Sequence, residues 1–350
     1  MELPSLRELK TWNCPVLRTL NCNSTNIDRK ITGTISLDQP QHLFNAKEHP
    51  SYWPSLKEME VKGCDKVEIL FSSQETTRFP IQQPLFWVNQ FTFPKLHQLT
   101  LGCNAGMKEI WHCVGQQLVS HYFPNLKVVK LEYHTEQILP LPPYLFPLLS
   151  SPNLQTLEIG KLFQKVIFLS EEGGEEKSPW VRKINLVPSS ASFRNLVTLK
   201  VERCHGIIKV ITHATSKSLV QLKEMSIIIC NNIEEIIEGG DDDDDEDEIS
   251  FPQLNSLKLE FLPKLESFCS SRNYTFGFPS LQTVVVHDCP MMKMFSRGRS
   301  NTPMLHKVKV NEWRNEECWK GSLNSTIQQL YRERNDMMVE SKFSDERSNP

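Results

Sequence analysis

Apolar residues recur along the chain at fixed spacings, with a proline two residues ahead of the first leucine in most groups. Three clear copies run from Trp53 to Cys64 (WPSLKEMEVKGC), from Phe93 to Asn104 (FPKLHQLTLGCN) and from Phe278 to Cys289 (FPSLQTVVVHDC). Ten copies of the pattern x-P-x-L-x-x-L-x-L-x-x-C/N can be aligned in this way. The L-x-L segment alternates apolar and polar residues, so each copy predicts a short strand with one buried face.

The repeats predict one extended array and not two compact domains. The pattern matches the leucine-rich-repeat consensus, in which one copy cannot bury its own apolar face and must stack on its neighbours. We therefore predict an α/β leucine-rich-repeat solenoid, with a parallel β-sheet on the concave face and loops and short helices on the convex face. The array is predicted over residues 1–312. A capping segment with a short helix is expected over 313–335, and a disordered polar tail over 336–350.

The last position of six copies is a cysteine or an asparagine and is predicted to be buried. It lies where the chain turns inward after the strand, and a reduced cysteine packs there as a small apolar side chain. The predicted residues of this repeat-core slot are Cys14, Cys64, Asn104, Cys204, Cys230 and Cys289. Further apolar residues follow the slot at +3 and +6, as Ile207 and Val210 do. That spacing predicts a turn of α-helix or 3₁₀-helix packed against the strand layer.

The polar positions of the predicted strands form the candidate binding face. They alternate with the buried positions, and the curvature of a solenoid turns them into one continuous surface. In three copies a lysine stands two residues before a glutamate. These charges either contact a polar protein surface or pair across strands and keep the face soluble. The candidate protein-binding residues are Lys130, Glu132, Lys200, Glu202, Lys258, Glu260 and Lys309.

Charge and composition narrow the classes of function. The 350 residues include 39 Lys and Arg against 42 Asp and Glu, so binding of nucleic acid through bulk basicity is not expected. No apolar run approaches the roughly 18–20 residues of a transmembrane helix. The first residues, MELPSLRELK, lack the character of a signal peptide, so we predict a cytoplasmic protein. No motif for catalysis, metal binding or a cofactor is recognisable, and we predict a non-catalytic protein.

An acidic loop is predicted over residues 239–250. It contains the run DDDDDEDE (residues 241–248), whose like charges repel one another and stay in water. The run lacks the glycine and the final bidentate glutamate of an EF-hand loop, so a calcium site is not predicted there.

With these features in place, the chain resembles the C-terminal leucine-rich-repeat region of plant coiled-coil nucleotide-binding leucine-rich-repeat (NLR) disease-resistance proteins. The resemblance lies in the F-P-x-L-x-x-L-x-L-x-x-C repeats of irregular length, in the acidic insert, and in the closing stretch ECWKGSLNSTIQQLYRE (residues 317–333). It implies a protein ligand, either a pathogen effector or a host protein, and a nucleotide-binding module that the repeats hold inactive. No G-x-x-x-x-G-K-[ST] loop occurs in this chain, so nucleotide switching is not implied for it.

Two other functions remain open at this point. A leucine-rich-repeat substrate adaptor of a ubiquitin ligase would need an F-box-like helical segment, and an extracellular receptor ectodomain would need an export signal and disulfide-paired caps. The chain begins inside a repeat, so we interpret it as a fragment or a truncated form of a longer receptor.

Overall fold

The computed structural model describes residues 7–12, 55–62, 86–88, 93–102, 111–113, 123–132, 151–161, 193–238, 247–311 and 316–346. They belong to two compact units, Met1–Phe163 and Gln164–Pro350. Three of the predicted slot residues (Cys14, Cys64 and Asn104) and residues 239–246 of the predicted acidic loop lie outside the described residues.

The main-sheet strands of the first unit come from the predicted L-x-L segments, and two short strands, β3 and β5, lie outside those segments. In chain order they are β1 (Glu8–Trp12), β2 (Glu58–Lys62), β3 (Phe86–Val88), β4 (Gln98–Gly102), β5 (Trp111–Cys113), β6 (Val128–Glu132) and β7 (Thr156–Gly160). The main sheet of this unit is parallel and follows the order β1-β2-β4-β6-β7, and β3 pairs with β5. Because every copy has the same spacing, the buried positions of neighbouring strands lie directly opposite one another, as Leu99 does with Met59 and Val129.

The second unit continues the same repeat and adds outer layers. Its elements are β8 (Thr198–Glu202), β9 (Lys209–Ile211), α1 (His213–Ser216), β10 (Glu224–Ile228), β11 (Glu235–Ile237), β12 (Asp247–Ser250), β13 (Ser256–Glu260), β14 (Tyr274–Gly277), β15 (Thr283–His287), β16 (Ser300–Asn301), β17 (Val308–Asn311), β18 (Glu316–Cys318) and α2 (Leu323–Glu346). The main sheet has the order β8-β10-β13-β15-β17-β18, parallel except for the last pair. A pair (β11-β9) and a trio (β12-β14-β16) form the outer layers. The parallel-strand solenoid predicted from the repeats is confirmed.

Phenylalanine rings fill the interior of both units. The residue before the conserved proline stacks on its counterpart in the next copy, as Phe93 does on Phe123 (6.2 Å between ring centres) and Phe251 on Phe278 (5.4 Å). A second stack joins Phe268 and Phe295 at 4.7 Å. All of these rings are buried, and aromatic pairs in such geometries add stability beyond the area that they bury.

In the second unit, the residue directly after each of the strands β8, β10, β13 and β15 has a left-handed backbone. The φ angle is +54° at Arg203, +56° at Ile229, +54° at Phe261 and +51° at Asp288. The backbone N–H of the first three donates to the last carbonyl of the next strand, at 2.9 Å in each case. Residues other than glycine rarely adopt this backbone conformation, because it is sterically unfavourable. The hydrogen bonds between coils therefore stabilise the inward turn against this unfavourable local conformation.

Three predicted boundaries or elements are wrong. The predicted short cap helix ends at 335, but α2 runs from Leu323 to Glu346, because residues 336–346 contain neither glycine nor proline. The predicted acidic loop extends to 250, but Asp247–Ser250 form strand β12, with Ile249 buried. The apolar residues after the slot are buried as predicted, yet Val210 and Ile236 lie in short strands instead of helical turns. Strands form there because the coils stack in register, so the backbone N–H and C=O groups of one coil bond to those of the next.

Candidate protein-binding face

The main sheets present alternate side chains to solvent. In β6 the pattern is half-buried at Val128, Lys130 and Glu132 and buried at Val129 and Leu131. Since neighbouring strands are in register, outward positions form straight columns that cross the strands. The candidate residues of the sequence analysis that lie on strands β6, β8, β13 and β17 all occupy outward positions.

In the first unit the outward charges pair with one another. Lys130 Nζ lies 3.0 Å from Glu158 Oε2, its direct neighbour on β7. Lys62 Nζ contacts Glu60 Oε1 on its own strand at 2.9 Å and Glu132 Oε2 at 3.3 Å. The sequence analysis left open whether these charges contact a protein or pair across strands. In the first unit they pair across strands.

The contact from Lys62 to Glu132 spans an entire strand. These residues lie on β2 and β6, on either side of Gly102 in β4. A Cβ atom at Gly102 would lie 2.8 Å from Cγ of Lys62, so the lysine stem crosses β4 at a position where no side chain fits. Burial by itself lowers the pKa of Lys62, but hydrogen bonds to Glu60 and Glu132 outweigh it and raise the pKa above 10.5.

Gly102→Ala is expected to displace the Lys62 stem and return the pKa of Lys62 toward its ordinary value. Because that pKa is raised in the folded state, the pair stabilises the protein below pH 10.5 and is lost as the pH rises above that value. The loss of stability should not exceed about 1 kcal/mol, since the groups are partly exposed. NMR titration of the lysine side chain measures the shift. Glu132→Gln should lower the pKa in the same direction without the steric change, and an unaltered pKa in both variants would contradict the arrangement.

In the second unit the central outward column is rich in lysine. Lys200, Ser226 and Lys258 are direct neighbours, and the column continues through Val285 to Lys309. Lys200 and Glu202 are exposed, and Glu202 Oε1 lies 3.6 Å from Nε of Arg203.

Glu260 differs from the expectation of a solvated charge. It is only 5% exposed, and its Oε2 atom lies 3.3 Å from Nζ of Lys258. A carboxylate at this depth needs its cationic neighbour, because an unpaired buried charge is costly. Lys258 and Glu260 therefore act together as one structural pair within the face.

An apolar patch lies beside this pair and was not among the predicted site residues. Phe261 is 38% exposed, and its ring contacts the imidazole of His287 edge-on, with 4.9 Å between ring centres. Half-buried Ile228 lies beside Glu260 on the neighbouring strand. The signal in the sequence was an aromatic residue at a repeat position where other copies have polar Arg203 and Asp288.

The structure describes three residues of the repeat-core slot. Cys204, Cys230 and Cys289 are buried and unbridged. The Cys204 and Cys230 thiols each donate to the carbonyl two residues earlier, at 3.3 Å, and the Cys204 backbone N–H donates to Cys230 Sγ at 3.3 Å. Burial raises the pKa of the Cys289 thiol to about 12, so this group stays protonated and unreactive.

Side chains just ahead of the strands connect successive coils, which the sequence analysis also missed. Asn125 Nδ2 donates to the Pro94 carbonyl and Asn153 Nδ2 to the Pro124 carbonyl, both at 2.6 Å. Ser280 makes the equivalent bond to Pro252 at 2.7 Å. The signal was a small hydrogen-bonding residue directly after the conserved proline.

No group of three or more His, Cys, Asp or Glu side chains is arranged to hold a metal ion within the described ranges. No helix in the described part of the chain is long and apolar enough to cross a membrane.

Comparison with known proteins gives one family match. Residues 175–312 match the family model for plant disease resistance protein RPS2-like, leucine-rich repeats. No curated protein matches the chain with significance. The matched segment contains β8 to β17, the part of the chain with the lysine column, the Lys258–Glu260 pair and Phe261. The match over residues 175–312 is consistent with the leucine-rich-repeat region of a plant NLR.

Proposed function

We propose that this chain is the non-catalytic protein-recognition and autoinhibitory region of a plant intracellular immune receptor, acting in the cytoplasm in defense against pathogens. The family match over residues 175–312 carries this proposal. The outward columns of the main sheets support it, because exposed strand faces of repeat arrays form extended binding surfaces. The ligand is a pathogen effector or a host protein, and a nucleotide-binding module is the second partner.

The candidate residues have different roles within this function. Lys130 pairs with Glu158 and Glu132 with Lys62, so these charges organise the face of the first unit. Lys258 and Glu260 support the second unit through their buried contact. Lys200 and Glu202 are exposed and Lys309 is half-buried on the outward columns, so these three charges are best placed to touch a partner, and Phe261 adds an apolar contact.

A binding assay with the nucleotide-binding module supplied in trans tests the autoinhibitory role. Lys200→Glu combined with Lys309→Glu should weaken retention of the module at least tenfold, because both changes invert charges on the outward column. Lys258 is left intact, since a glutamate there would lie beside buried Glu260 and destabilise the fold. The matched control is Lys264→Glu, an exposed lysine that contacts Asn232 Oδ1 away from this column. Failure of the wild-type chain to retain the module would refute the autoinhibitory role.

Phe261→Asn is expected to weaken binding of the recognised protein about tenfold or more, because exposed aromatic anchors carry a large share of interface energy. Asparagine tolerates the left-handed backbone at this position, so the variant removes the ring without adding strain. The control is Asp288→Asn, at the equivalent position of the next copy. Isothermal calorimetry with the ligand measures the effect, and equal affinities for the two variants would exclude Phe261 from the interface.

A further inference from the structure

The outer three-stranded sheet of the second unit ends in an edge strand. Its order is β12-β14-β16, and β16 contacts only β14 among the described strands. The backbone N–H of Phe276 donates to the Arg299 carbonyl and that of Phe278 to the Asn301 carbonyl, at 2.8 and 2.9 Å. In a parallel ladder of this register, Ser300 between them directs its own N–H and carbonyl away from β14. Such an edge is a template for a further strand.

Gly298 holds this edge tightly against β14. A Cβ atom at Gly298 would lie 1.7 Å from the Tyr274 carbonyl oxygen, so only glycine permits the approach. Its neighbours Arg297 and Arg299 are both exposed. The tight backbone contact therefore presents two arginines immediately ahead of the open edge.

The sequence segment that contains β16 has basic but no acidic residues. Residues 289–311 contain five basic residues and no acidic residue. Lys293 is paired with Glu266 at 3.3 Å, and Lys307 with Glu317 at 2.7 Å. Within the part of the chain that the structure describes, Arg297 and Arg299 form no ion pair. Arg297 and Arg299 therefore place positive charge directly beside Ser300.

We propose that the β16 edge is a second interaction surface, separate from the outward columns of the main sheet, and that it binds an acidic extended segment of a partner protein. The segment adds as a strand, with its backbone bonding to the N–H and carbonyl of Ser300. Its carboxylates pair with the forked guanidinium groups of Arg297 and Arg299. A peptide fits better than a nucleic acid, because a strand edge needs a backbone that both donates and accepts hydrogen bonds.

Fluorescence anisotropy with the full 350-residue chain tests this surface. The probe is a labelled eight-residue peptide that alternates glutamate and valine, and its competitor alternates glutamate and proline at equal charge. The proline peptide lacks half of its N–H donors and cannot add as a strand. We expect saturable binding of the glutamate–valine peptide, at least tenfold weaker binding of the proline peptide, and weakening with salt.

The decisive variant is Arg297→Gln with Arg299→Gln, and the control is Lys293→Gln in the same coil. The double variant should raise the Kd at least tenfold, and the control should change it less than twofold. Circular dichroism of both variants shows whether they keep the wild-type fold, which is expected because all three side chains are exposed. Equal binding by the double variant, absence of binding by wild type, or equal affinity for both peptides would overturn the proposal. Tighter binding of a single-stranded oligonucleotide through the same arginines would overturn it in favour of a nucleic-acid surface.

Discussion

Asn324→Ala is expected to lower the free energy of unfolding by about 3 kcal/mol, because it removes partners from three backbone groups at once. The Asn324 Oδ1 atom accepts from the N–H groups of Phe295 and Ser296, and its Nδ2 donates to the Ser296 carbonyl, all at 2.9 Å. The segment around Ser296 pairs with the preceding coil through a bridge to Cys269. The Asn324 side chain thus occupies the place of a further coil and attaches the start of α2 to the array.

One further variant separates the accepting bonds of Asn324 from its donating bond, and a second is a control. Asn324→Asp retains the accepting oxygen and loses the donor, so it should cost about 1 kcal/mol. Ser325→Ala should change stability by less than about 0.5 kcal/mol, because Ser325 is exposed. Urea denaturation followed by circular dichroism measures all three. If Asn324→Ala were as stable as Ser325→Ala, Asn324 could not be the connection between the cap and the last coil.

Phe268→Ala should have the largest effect of any single change considered, a loss of about 4 kcal/mol, the cost of removing a buried aromatic ring. Phe268 is fully buried. Its ring stacks on Phe295 at 4.7 Å and meets Phe276, Phe278 and Phe251 edge-on at 5.7, 6.0 and 6.4 Å. Because these rings come from successive copies, the cavity would weaken the contacts between coils across the second unit.

Thermal and urea unfolding, with hydrogen exchange of residues 251–301, measure this loss. Phe268→Leu keeps most of the volume and should lose markedly less stability than the alanine variant. Phe261→Asn provides the contrasting case, since that ring is 38% exposed and its removal takes away less buried apolar area than removal of Phe268 does. A loss of less than 1 kcal/mol in Phe268→Ala would show that the ring cluster does not connect the coils.

For the candidate face, the sequence predicted the positions of side chains on the strands but not all of their contacts. Alternation placed Lys130, Lys200 and Lys258 at outward positions, because side chains of a strand alternate between its two faces. It could not show that Lys62 reaches Glu132 across an intervening strand, since that contact depends on Gly102 of a third copy. Nor could it show that Glu260 is buried, which follows from how the chain packs around β13.

The repeat pattern of this protein determined the strands of the main sheets, their buried residues and their parallel order, and it predicts the cysteine slot. These features repeat at one local spacing, and every copy must bury its apolar face against the next. Only the tertiary structure decided the left-handed residues such as Phe261, the strand pairing of the outer layers and the attachment of α2 through Asn324. Each of these depends on hydrogen bonds between residues from different coils. Such bonds make an unfavourable local conformation the stable one, and no local pattern encodes them.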